Sequence, residues 1–178
     1  YQIMKRFSVI VSIIILLCCC TRQGAQLPSN KTNGPSEKMD MMTYNKLCME
    51  AEMAEIQSYL DSSNIKFEKS DAGYWYSKIC TKNGDKITNS SIVSISGCVE
   101  VLGGTPCLNW TEDQCLTLRL GKRDHTKVLD LALKDKSVGD EFWILSPSQL
   151  AYGLKGVSGC ITSRTPVLYK IKVLKKNE

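Results

Sequence analysis

Histidine is nearly missing from this chain: its 178 residues hold one, His125. Nine cysteines occur, yet no pair has C-x-x-C spacing. Together these scarcities leave no support for a histidine-rich metal centre, a zinc ribbon or a thioredoxin-like redox site. Aromatic residues make up 7% of the chain, too few for an aromatic nucleic-acid platform. Charge of one sign is also scarce, with 23 basic against 18 acidic residues, and it is evenly spread. That balance excludes a DNA- or RNA-binding role. No uninterrupted apolar run approaches the roughly 20 residues of an ordinary membrane-spanning helix. What is present is ordinary for a globular protein, 43% hydrophobic and 23% charged, which excludes collagen-like repeats and wholesale disorder. The length predicts one domain plus extras.

The N-terminal segment reads as an address. Lys5 and Arg6 precede an apolar stretch from Phe7 to Leu17, the layout of a secretory signal peptide. Met4 reads as the start, with Tyr1 to Ile3 as translated upstream sequence. Without the leader's two basic residues the formal charge drops from +5 to +3. The stretch ends in Leu16-Leu17-Cys18-Cys19-Cys20, which resembles the lipobox of bacterial lipoproteins. Cys20 fits as the acylated residue, with Leu17 three positions before it; Cys19 is the alternative, and a cysteine at the preceding position departs from the usual small residue. Residues 1–19 are then leader and 20–42 a polar, Gly- and Pro-containing tether. Roughly 20 such residues span on the order of 25 Å, enough to hold a domain off a membrane. The expected location is a bacterial cell envelope, facing the periplasm, with the membrane engaged through acyl chains rather than a basic patch.

The remaining six cysteines, at positions 48, 80, 98, 107, 115 and 160, permit disulfides in an exported protein. They allow fifteen connectivities. Cys98 and Cys107 flank a turn at Gly103-Gly104 and are the first pair to test, with buried free thiols as the alternative.

Apolar residues from Tyr44 to Leu60 fall at Leu47, Met49, Ala51, Ala54, Ile56 and Leu60, which predicts an N-terminal helix over 43–64, capped by Asp40 or Thr43. Five strands follow within 73–178. They cover 73–80, 92–97, 116–120, 141–146 and 167–174, with Lys170 and Lys172 facing outward and a turn at Asn83-Gly84-Asp85. Between Gly121 and Gly139 one short helix puts Leu129, Ala132 and Leu133 on a shared face, widened by Val128 and Leu131, with Asp124 as its cap. The expected class is α+β: a curved five-stranded antiparallel sheet wrapped around a short helix, with an extra N-terminal helix.

Four motifs in order sharpen this. They are Leu120-Gly121, Val138-Gly139, Pro147-Ser-Gln-Leu-Ala-Tyr-Gly153, and Gly159-Cys-Ile-Thr-Ser-Arg-Thr-Pro-Val-Leu-Tyr169. At this spacing the last eighty or so residues resemble the FKBP-type peptidyl-prolyl cis–trans isomerase family. With the N-terminal helix, the Gly73-Tyr-Trp-Tyr76 strand and the lipobox, the whole is similar to FKBP-like lipoproteins of Bacteroidetes. The resemblance implies proline-containing exported polypeptides as partners, no cofactor, no metal and no nucleic acid.

It also implies a proline pocket, residue by residue. Tyr152 matches the tyrosine whose hydroxyl bonds a substrate or macrolide carbonyl, and Tyr169 the aromatic of the last strand. Cys160 and Ile161 match the apolar tip of the last loop, where Thr162 replaces the family's proline. His125 and Thr126 stand where the family has an apolar pair, and Leu129 where it has a tryptophan floor. Leu116 and Ile95 replace an aromatic and a tyrosine. The family's Phe-Asp pair is absent between Gly104 and Cys115; Cys107-Leu108, or Trp110 with Glu112 or Asp113, are the candidate substitutes. Each missing aromatic wall removes up to about 150–250 Å² of contact area. The resemblance therefore implies an isomerase of altered pocket, or an inactive FKBP-like binding or chaperone lipoprotein. Cys20→Ser is expected to abolish fatty-acid labelling and release the protein from membranes; labelling that persists would move the lipobox to Cys19 or remove it.

Overall fold

The computed structural model describes residues 40–177, so the leader, Cys20 and nearly all of the tether lie outside the described residues. The alternating segment that begins at Ile92 runs on past Gly97 to Val101 as strand β3 (Ile92–Val101). It pairs along its whole length with the last strand, β7 (Val167–Asn177), from Ile92 opposite Asn177 to Val101 opposite Val167. Its other edge is shared. β4 (Pro106–Trp110) takes the half from Gly97 to Glu100, and β5 (Leu116–Arg119) takes Ile92 to Ile95. Beyond β7 lie β6 (Glu141–Ser146), β2 (Trp75–Cys80) and a two-residue edge, β1 (Glu68–Lys69). The sheet is antiparallel with seven strands rather than the five expected. β1 is too short to leave a pattern, and β4, holding Pro106 and Asn109, lacks the alternation that marks a strand.

The sheet bends around bulges in β2 and β3. Gly97 sits at the β3 bend with φ of +141°, and a Cβ there would lie 1.9 Å from the Lys170 carbonyl oxygen. Only glycine permits that approach. The expected turn at Gly103-Gly104 is present, with the Gly104 N–H donating to the Val101 carbonyl at 2.9 Å. At Asn83-Gly84-Asp85 there is no turn. The chain forms no regular structure there, and Gly84 lets it pass close to the Val138 carbonyl, which a Cβ would meet at 2.3 Å.

The period of two in each strand sorts side chains onto two cores. Phe142 and Ile144 of β6 and Val167, Tyr169, Ile171 and Val173 of β7 face the short helix α2 (Lys127–Ala132). Val128, Leu129, Ala132 and Leu133 fill that concave side, as the sequence pattern predicts. On the opposite face, Leu145, Leu168 and Trp75 pack on Ile56 of helix α1 (Met41–Ser62). Lys170 and Lys172 point outward, paired with Glu100 at 2.8 Å and Glu112 at 2.7 Å.

Helix α1 differs from expectation in its buried stripe. Leu47 and Met49 are exposed. The seam facing the domain is Asn45, Cys48, Glu52, Ile56, Tyr59 and Leu60. Its spacing is helical, but two of its members are polar, so an apolar count misses them. The helix also starts at Met41, two residues inside the expected tether.

Tyr169 is fully buried at the centre of β7, and its hydroxyl bonds Thr126 Oγ1 at 3.0 Å. Burial pushes this phenol well above its ordinary range; Tyr152 nearby adds to the rise and the Thr126 bond opposes it. A group whose folded pKa is raised lends stability that is intact below its unfolded value, about 10 for tyrosine, and lost as pH climbs through the folded one. Stability attributable to Tyr169 is thus level through neutral pH and declines above about pH 10. Tyr169→Phe should lower stability at neutral pH by about 1 kcal/mol and flatten the alkaline decline. Denaturant midpoints measured across that range check both, and an unchanged alkaline limb would show that another group governs it.

Candidate functional site

At the open end of the concave core lies a cleft of about 350 Å³. That is within the size range of small-ligand sites. Its floor is Leu129, buried on α2, and its walls include Trp110 at the end of β4 and Tyr152. Asp124, His125 and Lys155 form an exposed rim, with Thr126 half-buried beside them.

Tyr152 is held by the turn that follows β6. Pro147 breaks the strand, and Ser148–Leu150 makes a 3-10 turn. The Ser148 carbonyl accepts the N–H groups of both Ala151, at 2.9 Å, and Gly153, at 2.8 Å. Those two residues flank Tyr152, so one carbonyl fixes the backbone on either side of it. Gly153 and Gly156 take positive φ, which glycine adopts without strain, and a Cβ on Gly156 would meet the Ile161 carbonyl at 2.2 Å. The loop then closes as a small hairpin in which Val157 and Ile161 exchange backbone bonds at 2.8 and 2.9 Å. Its tip is tied to β4 by a disulfide between Cys160 and Cys107, with Cα atoms 5.7 Å apart. The pairing expected between Cys98 and Cys107 is therefore not the one formed; Cys98 is free.

The Tyr152 and Tyr169 rings stack, with centroids 6.4 Å apart and planes 16° from parallel. The Tyr169 hydroxyl bonds Thr126 Oγ1 at 3.0 Å, which anchors the ring that stacks behind Tyr152. Burial raises the Tyr152 pKa, and the neighbouring Tyr169 hydroxyl partly offsets the rise. Its phenol is therefore protonated at neutral pH and available as a donor.

The structure brings together Tyr152, Thr126, His125 and Leu129 at the cleft, with Tyr169 directly behind Tyr152. It does not bring the others to the lining. Ile95 and Ile161 are enclosed in the core, Leu116 is half-buried against it, and Cys160 is exposed in its disulfide. Ile95 is short, and it cannot reach from mid-sheet to the opening as an aromatic ring would. Of the candidate substitutes for the missing Phe-Asp pair, Trp110 reaches the cleft, whereas Glu112 is committed to Lys172. Leu108 packs against the core. Asp124 was expected to cap α2; it lines the cleft instead. The N-cap residue is Thr126, and no side chain bonds the helix's first N–H groups because the Thr126 hydroxyl is turned to Tyr169. Lys155 and Gly156 carried no signal beyond their place just after the Ala-Tyr-Gly run.

A family model described as FKBP-type peptidyl-prolyl cis-trans isomerase matches residues 82–174, slightly more than half of the chain. No curated protein matches the chain. Among solved structures, a peptidyl-prolyl cis-trans isomerase from Pseudomonas syringae pv. tomato superposes with a TM-score of 0.64 at 18% identity, covering 75% of this chain and 96% of that one. FkpA from Escherichia coli gives 0.62 at 20% identity, over 76% of this chain and 63% of its own. AtFKBP13 gives 0.57 at 18% identity, over 63% and 99%. At such identities these likenesses speak for the fold. The family match, which takes in β3 to β7, α2 and the Tyr152 turn, shows that the chain belongs to the FKBP-type peptidyl-prolyl cis-trans isomerase family.

Proposed function

We propose that the protein is a prolyl isomerase acting on exported polypeptides, tethered through acylated Cys20 to a membrane of the cell envelope and facing the periplasm. The observation that carries the catalytic reading is the pairing of an apolar floor, Leu129, with a protonated Tyr152 donor at the same cleft.

An X–Pro bond turns over a barrier of about 18–20 kcal/mol, in tens to hundreds of seconds when unaided. No covalent bond breaks. The amide loses conjugation as it twists, so the twisted form is less polar than either planar one. An apolar cleft that excludes water favours it, and a donor that binds the carbonyl more strongly in the twisted geometry lowers the barrier further. Leu129 and Trp110 would contact the prolyl ring, and the Tyr152 hydroxyl would hold a substrate carbonyl. The stacked Tyr169 ring, itself anchored by Thr126, backs the Tyr152 ring at the cleft.

A second reading, a domain that binds proline segments or unfolded clients without turning them over, is favoured by the rim. Asp124, His125 and Lys155 make the cleft more polar than an aromatic bowl. The two readings separate in one experiment, NMR exchange or protease-coupled isomerisation of a proline peptide. An isomerase accelerates exchange, and Tyr152→Phe slows it about fivefold, the equivalent of about 1 kcal/mol for one hydrogen bond. Suppression of client aggregation with no acceleration, unchanged in Tyr152→Phe, would remove the enzyme and leave the binder.

A further inference from the structure

Helix α1 lies outside the family-matched region, yet two of its polar side chains reach the loop that carries Tyr152. Glu52 is buried, and its carboxylate accepts hydrogen bonds from the Ser148 N–H and, at 2.9 Å, from the Ser148 hydroxyl. At the other end of the same loop the Asn45 carbonyl oxygen accepts from the Arg164 guanidinium at 2.7 Å, and that guanidinium lies 5.5 Å from the Tyr44 ring centroid. The Arg164 N–H in turn donates to the Gly153 carbonyl at 2.9 Å. Both ends of the segment from Ser148 to Arg164 are therefore pinned to one helix.

A buried carboxylate is costly unless its lone pairs are satisfied. No lysine or arginine pairs with Glu52 among the described residues. Its acceptor capacity is directed at Ser148, where it caps the 3-10 turn. Ile56, one turn further along α1, packs on the sheet and would dock the helix without Glu52. Docking alone thus gives no reason for a charge at this position. Fixing Ser148 does, because the Ser148 carbonyl holds the amides on both sides of Tyr152.

We propose that α1 is a strut for the cleft and that Glu52 is a positioning residue, setting Tyr152 through Ser148. This rests on the isomerase reading above for its catalytic consequence, but not for its structural one. The test compares Glu52→Ala, Glu52→Gln and Ser148→Ala in the full chain. Glutamine can still accept from the Ser148 N–H, whereas alanine cannot. Two readouts are taken: amide hydrogen exchange at Ala151 and Gly153, and kcat/KM on a proline peptide. Glu52→Ala should speed exchange at both amides at least tenfold while the Val99 and Ile171 amides of the central ladder keep their rates. It should also lower kcat/KM at least tenfold. Glu52→Gln should restore both readouts to within about threefold of wild type, roughly 0.6 kcal/mol, against the tenfold or about 1.4 kcal/mol expected for the bond lost in Glu52→Ala. Ser148→Ala, which keeps the N–H bond, should fall between the two. Should Glu52→Ala not fold, Glu52→Gln against Ser148→Ala carries the comparison. Exchange at Ala151 and Gly153 that is unchanged in every folded variant overturns the strut. So does exchange that rises equally throughout the sheet. If wild type does not isomerise proline, the amide readout still decides the strut, and the failure falls on the activity alone.

Discussion

Everything near the cleft depends on burying the Tyr169 hydroxyl. The ring belongs to the middle of β7, between Val99 of β3 and Ile144 of β6, where no water reaches it. An unpaired phenol there would cost about 1–3 kcal/mol. Thr126 supplies the partner, and in doing so fixes where α2 begins and how it sits against the sheet. The same ring stacks on Tyr152, so sheet, helix and loop are brought into register around one buried tyrosine. That constraint explains why Thr126 is not an apolar residue. A valine or isoleucine would line the cleft equally well but would leave Tyr169 without its bond to the helix.

The two faces of the sheet have different duties. The concave side encloses α2 and opens into the cleft. The other side carries a small apolar patch of Trp75, Leu145 and Leu168, on which the second half of α1 packs through Ile56, Tyr59 and Leu60. The first half of α1 adds no residue to that apolar cluster. It reaches the domain through Asn45 and Glu52 instead. Hydrogen bonds, unlike apolar contacts, have direction, and both sets are directed at the Tyr152 loop.

Much of this was legible in the chain itself. Strands whose side chains alternate cleanly, such as β6 and β7, were readable because each face meets a different environment. The motif run from Leu120 to Tyr169 placed Tyr152, Leu129 and Thr126 at one site. What escaped was set by long-range contact. β4 forms because β3 offers it an edge, although its own residues do not favour a strand. Cys160 pairs with Cys107 because the loop tip folds back over β4, a closeness that no spacing records. Glu52 and Asn45 carry no apolar signal that would place them on the docked face of the helix, and their partners lie 96 and 119 residues away. Ile95 and Leu116 matched family pocket positions, but as short aliphatic side chains they end in or against the core and stop short of the lining.

The central claim is that the cleft between Leu129, Trp110 and Tyr152 is where a proline segment binds. It is tested most directly by titrating the labelled protein with a short X–Pro peptide and following its NMR spectrum. The account predicts saturable shifts at the Trp110 indole, the Leu129 methyls and the Tyr152 amide and ring. Residues of the lysine-lined cavity at the far side, such as Lys78 and Lys136, should stay in place. Saturable shifts confined to surfaces away from Leu129, Trp110 and Tyr152 would contradict it.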